Sequence, residues 1–139
     1  MKTEELPIVI ALKELIVLIT KELRNFPRFE RYTYGAEIIR YCTYTIEDLS
    51  KANRLIAKRE DNINRFLSDF EPINILLQIC FESGTVSPKS AYRIGKQINK
   101  VLKQATAWRN KTRRRERDGQ LPQKISDETG SVKAYLAVS

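Results

Sequence analysis

The sequence contains no histidine, and its two cysteines, Cys42 and Cys80, stand 38 residues apart. Without histidine there is no ordinary general base, no Ser-His or Cys-His nucleophile pair and none of the commonest metal ligand. The five glycines are isolated from one another, so the chain has no glycine-rich phosphate loop. Adjacent acids such as Glu47 and Asp48 point about 100° apart on a helix and do not converge on one substrate atom. We therefore expect no enzyme and no catalytic residues, and no cofactor, metal or small-molecule substrate.

Long hydrophobic runs are also missing. The most apolar segment, residues 8 to 19, contains Lys13 and Glu14. It is shorter than the roughly 20 apolar residues that a membrane span needs. Nothing at the N-terminus resembles a secretory leader, and both cysteines fall on apolar faces of predicted helices. We expect a cytoplasmic protein with two reduced thiols and no membrane partner.

The positive charge is concentrated in one part of the chain. The net charge of +8 and the isoelectric point near 9.6 indicate an anionic partner, either nucleic acid or an acidic protein. Residues 89 to 117 carry eleven basic side chains against one acid, Glu116, so their net charge is +10 and the other 110 residues sum to −2. The eleven basic residues are Lys89, Arg93, Lys96, Lys100, Lys103, Arg109, Lys111, Arg113, Arg114, Arg115 and Arg117. The pattern predicts a near-neutral body with one basic element.

Four helices are predicted from apolar residues that recur at steps of three and four. We expect them over residues 7 to 24, 28 to 58, 62 to 82 and 88 to 117, with a turn at 59 to 62. Pro27 breaks the chain after the first helix, Pro72 should kink or divide the third, and Ser87 with Pro88 should open the fourth. These signals predict an all-α, antiparallel up-down four-helix bundle over residues 1 to 117 and a flexible C-terminal tail over 118 to 139.

Each predicted helix has an apolar stripe that we expect to form the core. In chain order the stripes are Val9, Leu12, Ile16, Ile19 and Leu23; Ile38, Cys42, Ile46, Leu49, Ala52 and Ile56; Ile63, Phe66, Phe70, Ile73, Leu77 and Cys80; and Ala91, Ile94, Ile98, Val101, Ala105 and Trp108. Ile10, Val17 and Leu18 lie beside or opposite the first stripe. Either these three contact another subunit or the first helix is more central, and we favour self-association.

The first five basic residues of the fourth helix fall opposite its apolar stripe, at about 100° per residue. A solvated helix face is the ordinary explanation for lysines in that place. A solvated face usually mixes the two signs of charge, whereas these like charges follow one another at steps of three and four without acids. The arginines between residues 109 and 117 continue the row. We therefore predict a phosphate-binding track, because a guanidinium can hold phosphate oxygens through two parallel hydrogen bonds.

Two groups of residues leave alternatives open. Four tyrosines near the helix break could stack on bases, but their helical phases spread over more than one face, which favours packing in the core or at a subunit interface. They are Tyr32, Tyr34, Tyr41 and Tyr44. Gly35 and Gly95 lie within predicted helices, where each marks either a close helix approach or a tolerated surface position.

The segment NFPRFERYTYGAEIIR, residues 25 to 40, places a Phe-Pro-basic cluster before an Arg-Tyr-Thr-x-Gly helix start. Near the other end, Ser87 and Pro88 are followed by Trp108 and a basic tail. Both features resemble the accessory variability determinant (Avd) proteins of diversity-generating retroelements. Those proteins belong to a wider four-helix group that includes proteins encoded in intervening sequences of bacterial 23S ribosomal RNA genes. The resemblance covers about residues 8 to 117, and the chain departs from it at Leu102 and Thr106, where the family often has glycines.

The resemblance implies a homopentameric barrel of four-helix protomers with a positively charged surface. It also implies association with a reverse transcriptase and RNA, in support of the mutagenic copying of template RNA into cDNA, without catalysis by the protein itself. By analogy, the eleven basic residues would contact nucleic acid and the polymerase, and the extra apolar side of the first helix would pack against other subunits. Two alternatives stay open: an intervening-sequence protein of unassigned role, and an oligomeric bundle that binds an acidic protein.

Overall fold

Four long helices form most of the chain in the computed structural model, which describes residues 1–121. Within these residues there is no strand, and the all-α prediction is confirmed. The long helical segments are α1 (Pro7–Leu23), α2 with its continuation α3 (Arg28–Glu30 and Ala36–Arg54), α4 (Arg59–Glu82) and α5 (Pro88–Arg117). One core cluster contains buried residues from α1, α3, α4 and α5. No helix among residues 1–121 has the length and apolarity needed to cross a membrane.

The helix starts follow signals in the local sequence. Pro7 occupies the first turn of α1, and Pro27 immediately precedes α2. At the start of α5, the Ser87 hydroxyl accepts a hydrogen bond from the Ser90 amide at 3.2 Å, and Pro88 needs no partner for an amide hydrogen. The predicted start of the fourth helix is confirmed.

Between α2 and α3 the helix widens into a π-helical turn, Arg31–Gly35. Gly35 is buried there, and a Cβ atom on it would lie 3.2 Å from Cδ2 of Leu23 at the end of α1. Gly95 in α5 differs, because a Cβ atom there would meet nothing within 4 Å. Gly35 therefore marks a close approach, whereas Gly95 faces open space.

The second long helix ends earlier than predicted. We expected helix to residue 58 and a turn at 59 to 62, but α3 ends at Arg54 and α4 begins at Arg59. Arg59 donates from Nε to the Ala52 carbonyl at 2.8 Å and from Nη2 to the Asn53 carbonyl at 3.0 Å. The last carbonyls of a helix have no partner within the helix, so these two bonds stabilise the end of α3. A short 3-10 turn, Ile56–Lys58, then leads into α4.

The predicted stripe of α4 is buried throughout, from Ile63 to Cys80. Pro72 was predicted to kink or divide the third helix; it lies inside α4 without dividing it. On α5, the central stripe residues Ile94 to Ala105 are buried and Trp108 is half-buried against the core. These two helices therefore bury the faces that their spacing predicted.

The predicted stripe of α3 is wrong at Ile46, which is 47% exposed. Thr45 and Asp48 are buried in its place. Thr45 is seven residues after Ile38, so on a helix its side chain points about 20° from that of Ile38 and lies on the core face. Ile46 is eight residues after Ile38, so its side chain points about 80° away. The buried Thr45 hydroxyl donates to the Cys42 carbonyl at 2.6 Å, which satisfies it locally. Ile56 is likewise exposed, because the helix has already ended.

α1 buries a broader face than predicted, since Ile8, Ala11 and Leu15 join the core. Ile10 and Val17 are exposed on the opposite side, and Leu18 packs against the core from a half-buried position. Ile10 and Val17 are therefore two of the three residues for which subunit contact was favoured, whereas Leu18 contacts the core of its own subunit.

A buried carboxyl group lies where α3 meets α4. Asp48 is 4% exposed, and its Oδ2 atom makes no hydrogen bond within residues 1–121. Burial first, and then the neighbouring Asp69 carboxyl, raise the pKa of Asp48 to about 8, against an opposing effect of Arg65 and Lys51. Asp48 therefore binds its proton more tightly than an ordinary aspartate does.

α5 ends at Arg117, and a turn follows in which Gly119 has a positive φ of 76°. The predicted tail begins in this turn, but residues 122–139 lie outside the described part of the chain. The prediction of a flexible tail therefore stays a prediction.

Candidate nucleic-acid interface

α5 presents a row of cations, interrupted once, on the side that faces away from the core. We call this row the basic ridge. Its seven members are all exposed: Lys89, Arg93, Lys96, Lys100, Lys103, Lys111 and Arg114. At about 100° per residue they fall within a sector of about 80°, and at about 1.5 Å per residue the row is about 38 Å long. Ala107 occupies the one gap in the row.

Acids compensate little of the charge on the basic ridge. Lys100 Nζ lies 3.9 Å from Glu14 Oε1 of α1, and both side chains are about half exposed. A solvated pair of this kind contributes at most about 1 kcal/mol and is screened by salt. Within residues 1–121, the other six members of the ridge form no ion pair with an acid. The ridge therefore keeps most of its positive potential.

The remaining four predicted residues lie off the ridge. Arg109 donates to Asn64 Oδ1 of α4 at 3.2 Å, and Arg113 forms an ion pair with Glu60 at the start of α4. Both side chains therefore contact α4 of their own subunit. This contradicts the prediction that they continue the outward-facing row of cations. Arg117 Nε lies 3.8 Å from Oδ1 of the adjacent Asp118. Arg115, the fourth, is exposed.

Arg59 of α4 lies beside the C-terminal half of α5, off the ridge and next to Trp108, and it was not predicted as a site residue. Burial, and then the positive charge of Arg115, lower the pKa of Arg59. The Arg59 guanidinium also lies 5.3 Å from the centre of the Trp108 ring, a cation–π contact. No signal in the sequence joins Arg59 to residues about 50 positions later, because their proximity depends on how α4 packs against α5.

A groove runs beside the ridge, between the second half of α4 and the first half of α5. It has a volume of about 450 Å³ and is lined by apolar side chains such as Leu77 and Phe81, with Tyr92 and Gly95 on the α5 side. A shallower continuation follows α5 past Asn99. No acidic side chain of the described chain lines either part.

Tyr92 stands between the ridge and the groove. It is 69% exposed, and Lys96 Nζ lies 5.4 Å from the centre of its ring. Tyr92 was not predicted as a site residue, although it stands four residues before Lys96, a spacing that brings side chains together on a helix. An exposed ring beside a cation is a surface on which a planar group can stack.

The tyrosines near the helix break are in part packing residues. Tyr41 packs against the main core, and Tyr34 packs against a smaller cluster around Phe26. Tyr44 meets Tyr41 edge to face, with 5.6 Å between ring centres, and Arg40 covers both rings. Tyr32, the fourth, is exposed.

No protein-family model matches the chain, and a search of curated proteins finds no significant match. The resemblance to Avd proteins therefore rests on the residues that carry it.

Proposed function

We propose that this chain is a non-catalytic accessory protein of a diversity-generating retroelement, in which it binds template RNA or cDNA and the reverse transcriptase through a basic surface and supports mutagenic retrohoming. The observation that carries the nucleic-acid part is the basic ridge, whose seven exposed cations share one face of α5. The retroelement part rests on the resemblance of residues 25 to 40 to Avd proteins.

The proposal includes an antiparallel up-down bundle that assembles into a homopentameric barrel in the cytoplasm. Contacts between opposite helix ends support the antiparallel order: Asn53 near the end of α3 donates to the Met1 carbonyl at 3.0 Å, and Arg113 near the end of α5 pairs with Glu60 at the start of α4. Exposed Ile10 and Val17 supply apolar surface for subunit contacts. Multi-angle light scattering measures the subunit number, and a monomer at micromolar concentration would contradict the pentamer.

Binding through the ridge has a measurable dependence on salt. Each phosphate that a cation neutralises releases counterions, so the logarithm of the association constant falls with the logarithm of salt concentration by about 0.7 per contact for single strands. If six ridge cations touch phosphates, the slope is about −4. The affinity then falls several hundredfold, on the order of 300-fold, between 50 and 200 mM salt.

The test is a salt series of fluorescence anisotropy titrations with a labelled RNA. Changing both Lys96 and Lys103 to glutamine removes two exposed ridge cations, and we expect the slope to become shallower by about 1.4. The matched control changes Lys13 and Lys21, two exposed lysines of α1, to glutamine and loses the same net charge. We expect the control to keep the wild-type slope. Equal effects of the two double variants, or binding that does not respond to salt, would overturn the ridge as the binding surface and leave an acidic protein as the candidate partner.

The retroelement part has a genomic test. A reverse transcriptase gene and paired template and variable repeats should lie beside the gene for this chain. A position inside a 23S ribosomal RNA gene would instead identify an intervening-sequence protein and refute the retroelement assignment.

A further inference from the structure

One of the residues on the α5 side of the groove between α4 and α5 is a glycine, Gly95, so no side chain enters the groove from that position. A Cβ atom on Gly95 would meet nothing within 4 Å, although the residue lies in the middle of a regular helix. Glycine at such a position costs about 1 kcal/mol relative to alanine. The groove floor is formed by buried side chains of the core, including Leu77 and Ile98.

The lining combines flat apolar surface with unused hydrogen-bonding groups. Asn74 and Gln78 of α4 and Asn99 of α5 make no side-chain hydrogen bond within residues 1–121. Each amide can donate and accept at once, which suits the mixed edges of nucleobases. Tyr92 offers an exposed ring at the rim, directly beside Lys96 of the ridge.

We propose that this groove takes bases of a single-stranded nucleic acid whose phosphates lie on the basic ridge. The inference rests on the proposed nucleic-acid function and specifies the form of the ligand. Tyr92 stacks on a base, the amides contact base edges, and Lys96 and Lys103 hold the adjacent phosphates.

A single strand fits this arrangement better than a duplex. In a duplex the bases are paired and stacked inward, whereas unpaired bases can turn away from the backbone and stack on aromatic side chains. A groove of about 450 Å³ between two helices accommodates an unpaired base but not a double helix. The absence of acids among the described lining residues, together with the cationic rim, favours a polyanion over a protein helix as the occupant.

The experiment fills the groove from Gly95. Gly95→Leu places a large side chain in the groove without removing a charge, and Gly95→Ala is the matched control because it adds only one methyl group to open space. A second pair uses the ring: Tyr92→Ala removes it, and Tyr92→Phe keeps it. The probes are a labelled 12-nucleotide RNA strand and the same strand in a duplex, both titrated at 50 mM salt, with circular dichroism to check helicity.

We expect wild type to prefer the single strand, and Gly95→Leu and Tyr92→Ala each to weaken single-strand binding about tenfold. Duplex binding by Gly95→Leu and Tyr92→Ala should stay at wild-type affinity. Gly95→Ala should bind the single strand more tightly than Gly95→Leu, and Tyr92→Phe, which keeps the ring, should bind it more tightly than Tyr92→Ala. Equal affinity for both forms, with no effect of Gly95→Leu, would overturn the groove as a base site while leaving the ridge proposal standing. If the wild-type protein binds neither the single strand nor the duplex, the proposed function is refuted. A Gly95→Leu variant that changes subunit number by light scattering but not single-strand affinity would assign the groove to subunit contact and overturn the inference.

Discussion

Changing Asp48 to asparagine tests the buried carboxyl between α3 and α4. Asparagine has nearly the shape of the protonated acid but does not ionise, so the substitution keeps the packing and removes the titration. The pKa of Asp48 is raised from an ordinary 3.8 to about 8 in the folded chain. Between those two values the folded chain holds a proton that the unfolded chain has lost. The free energy of unfolding of wild type therefore falls as the pH rises from about 4 to about 8, by at most about 1.4 kcal/mol per pH unit from this group.

Urea denaturation followed by circular dichroism, at pH values from 4 to 9, measures this contribution as a difference between wild type and Asp48→Asn. We expect the two proteins to differ least near pH 4 and the variant to be the more stable by at least about 1 kcal/mol at pH 8. Asp69→Asn is a second variant, in which burial still raises the pKa of Asp48 but the neighbouring acid is gone. The pH dependence of its free energy of unfolding should therefore lie between those of wild type and Asp48→Asn. A difference between wild type and Asp48→Asn that stays constant from pH 4 to 9 would refute the reasoning.

Three further predictions follow from packing and burial. Gly95→Ala should raise the free energy of unfolding by about 1 kcal/mol, and Gly35→Ala should raise it less, because its new methyl group would crowd Leu23; the reverse order in urea denaturation would contradict the close approach. Phe66→Ala should lower the free energy of unfolding by about 3–5 kcal/mol, and a loss below about 1 kcal/mol would contradict its complete burial. Burial raises the pKa of Cys42 to about 12 and also raises the pKa of Cys80. Neither thiol should therefore react readily with a disulfide reagent at pH 8 until urea unfolds the chain. Fast reaction of the native protein would contradict the burial of these thiols.

The buried faces of α4 and α5 were predictable because the residues at their core positions are apolar and recur at the helical period. From Ile63 to Cys80 every core position of α4 carries an apolar side chain, so the helical period is visible in the sequence. The start of α5 was equally clear, since Ser87 and Pro88 act locally on the first turn.

The buried face of α3 was not predictable by the same rule. Selecting apolar residues favours Ile46 over Thr45, although only Thr45 lies on the core side. The burial of Asp48 is hidden more deeply, because a carboxyl is buried only when a neighbour or a proton compensates it, and here the neighbour, Asp69, comes from another helix.

For the candidate site, helical spacing predicted the outward direction of the ridge lysines, and they are exposed. Spacing could not show that Arg109 and Arg113 turn to partners on α4, nor that Tyr92 borders a groove, because both depend on the neighbouring helix. The role of all these residues in binding stays a prediction.

The Arg59 side chain joins three helices at one point. From the first turn of α4 its guanidinium donates to two carbonyl groups at the end of α3 and lies against Trp108 of α5. A planar fork with several donors can make all of these contacts at once, whereas the ammonium group of lysine is a point charge that cannot. Replacing Arg59 with lysine would keep the net charge of the molecule but lose part of these contacts between the three helices. Position 59 therefore requires the planar guanidinium group and not only a positive charge.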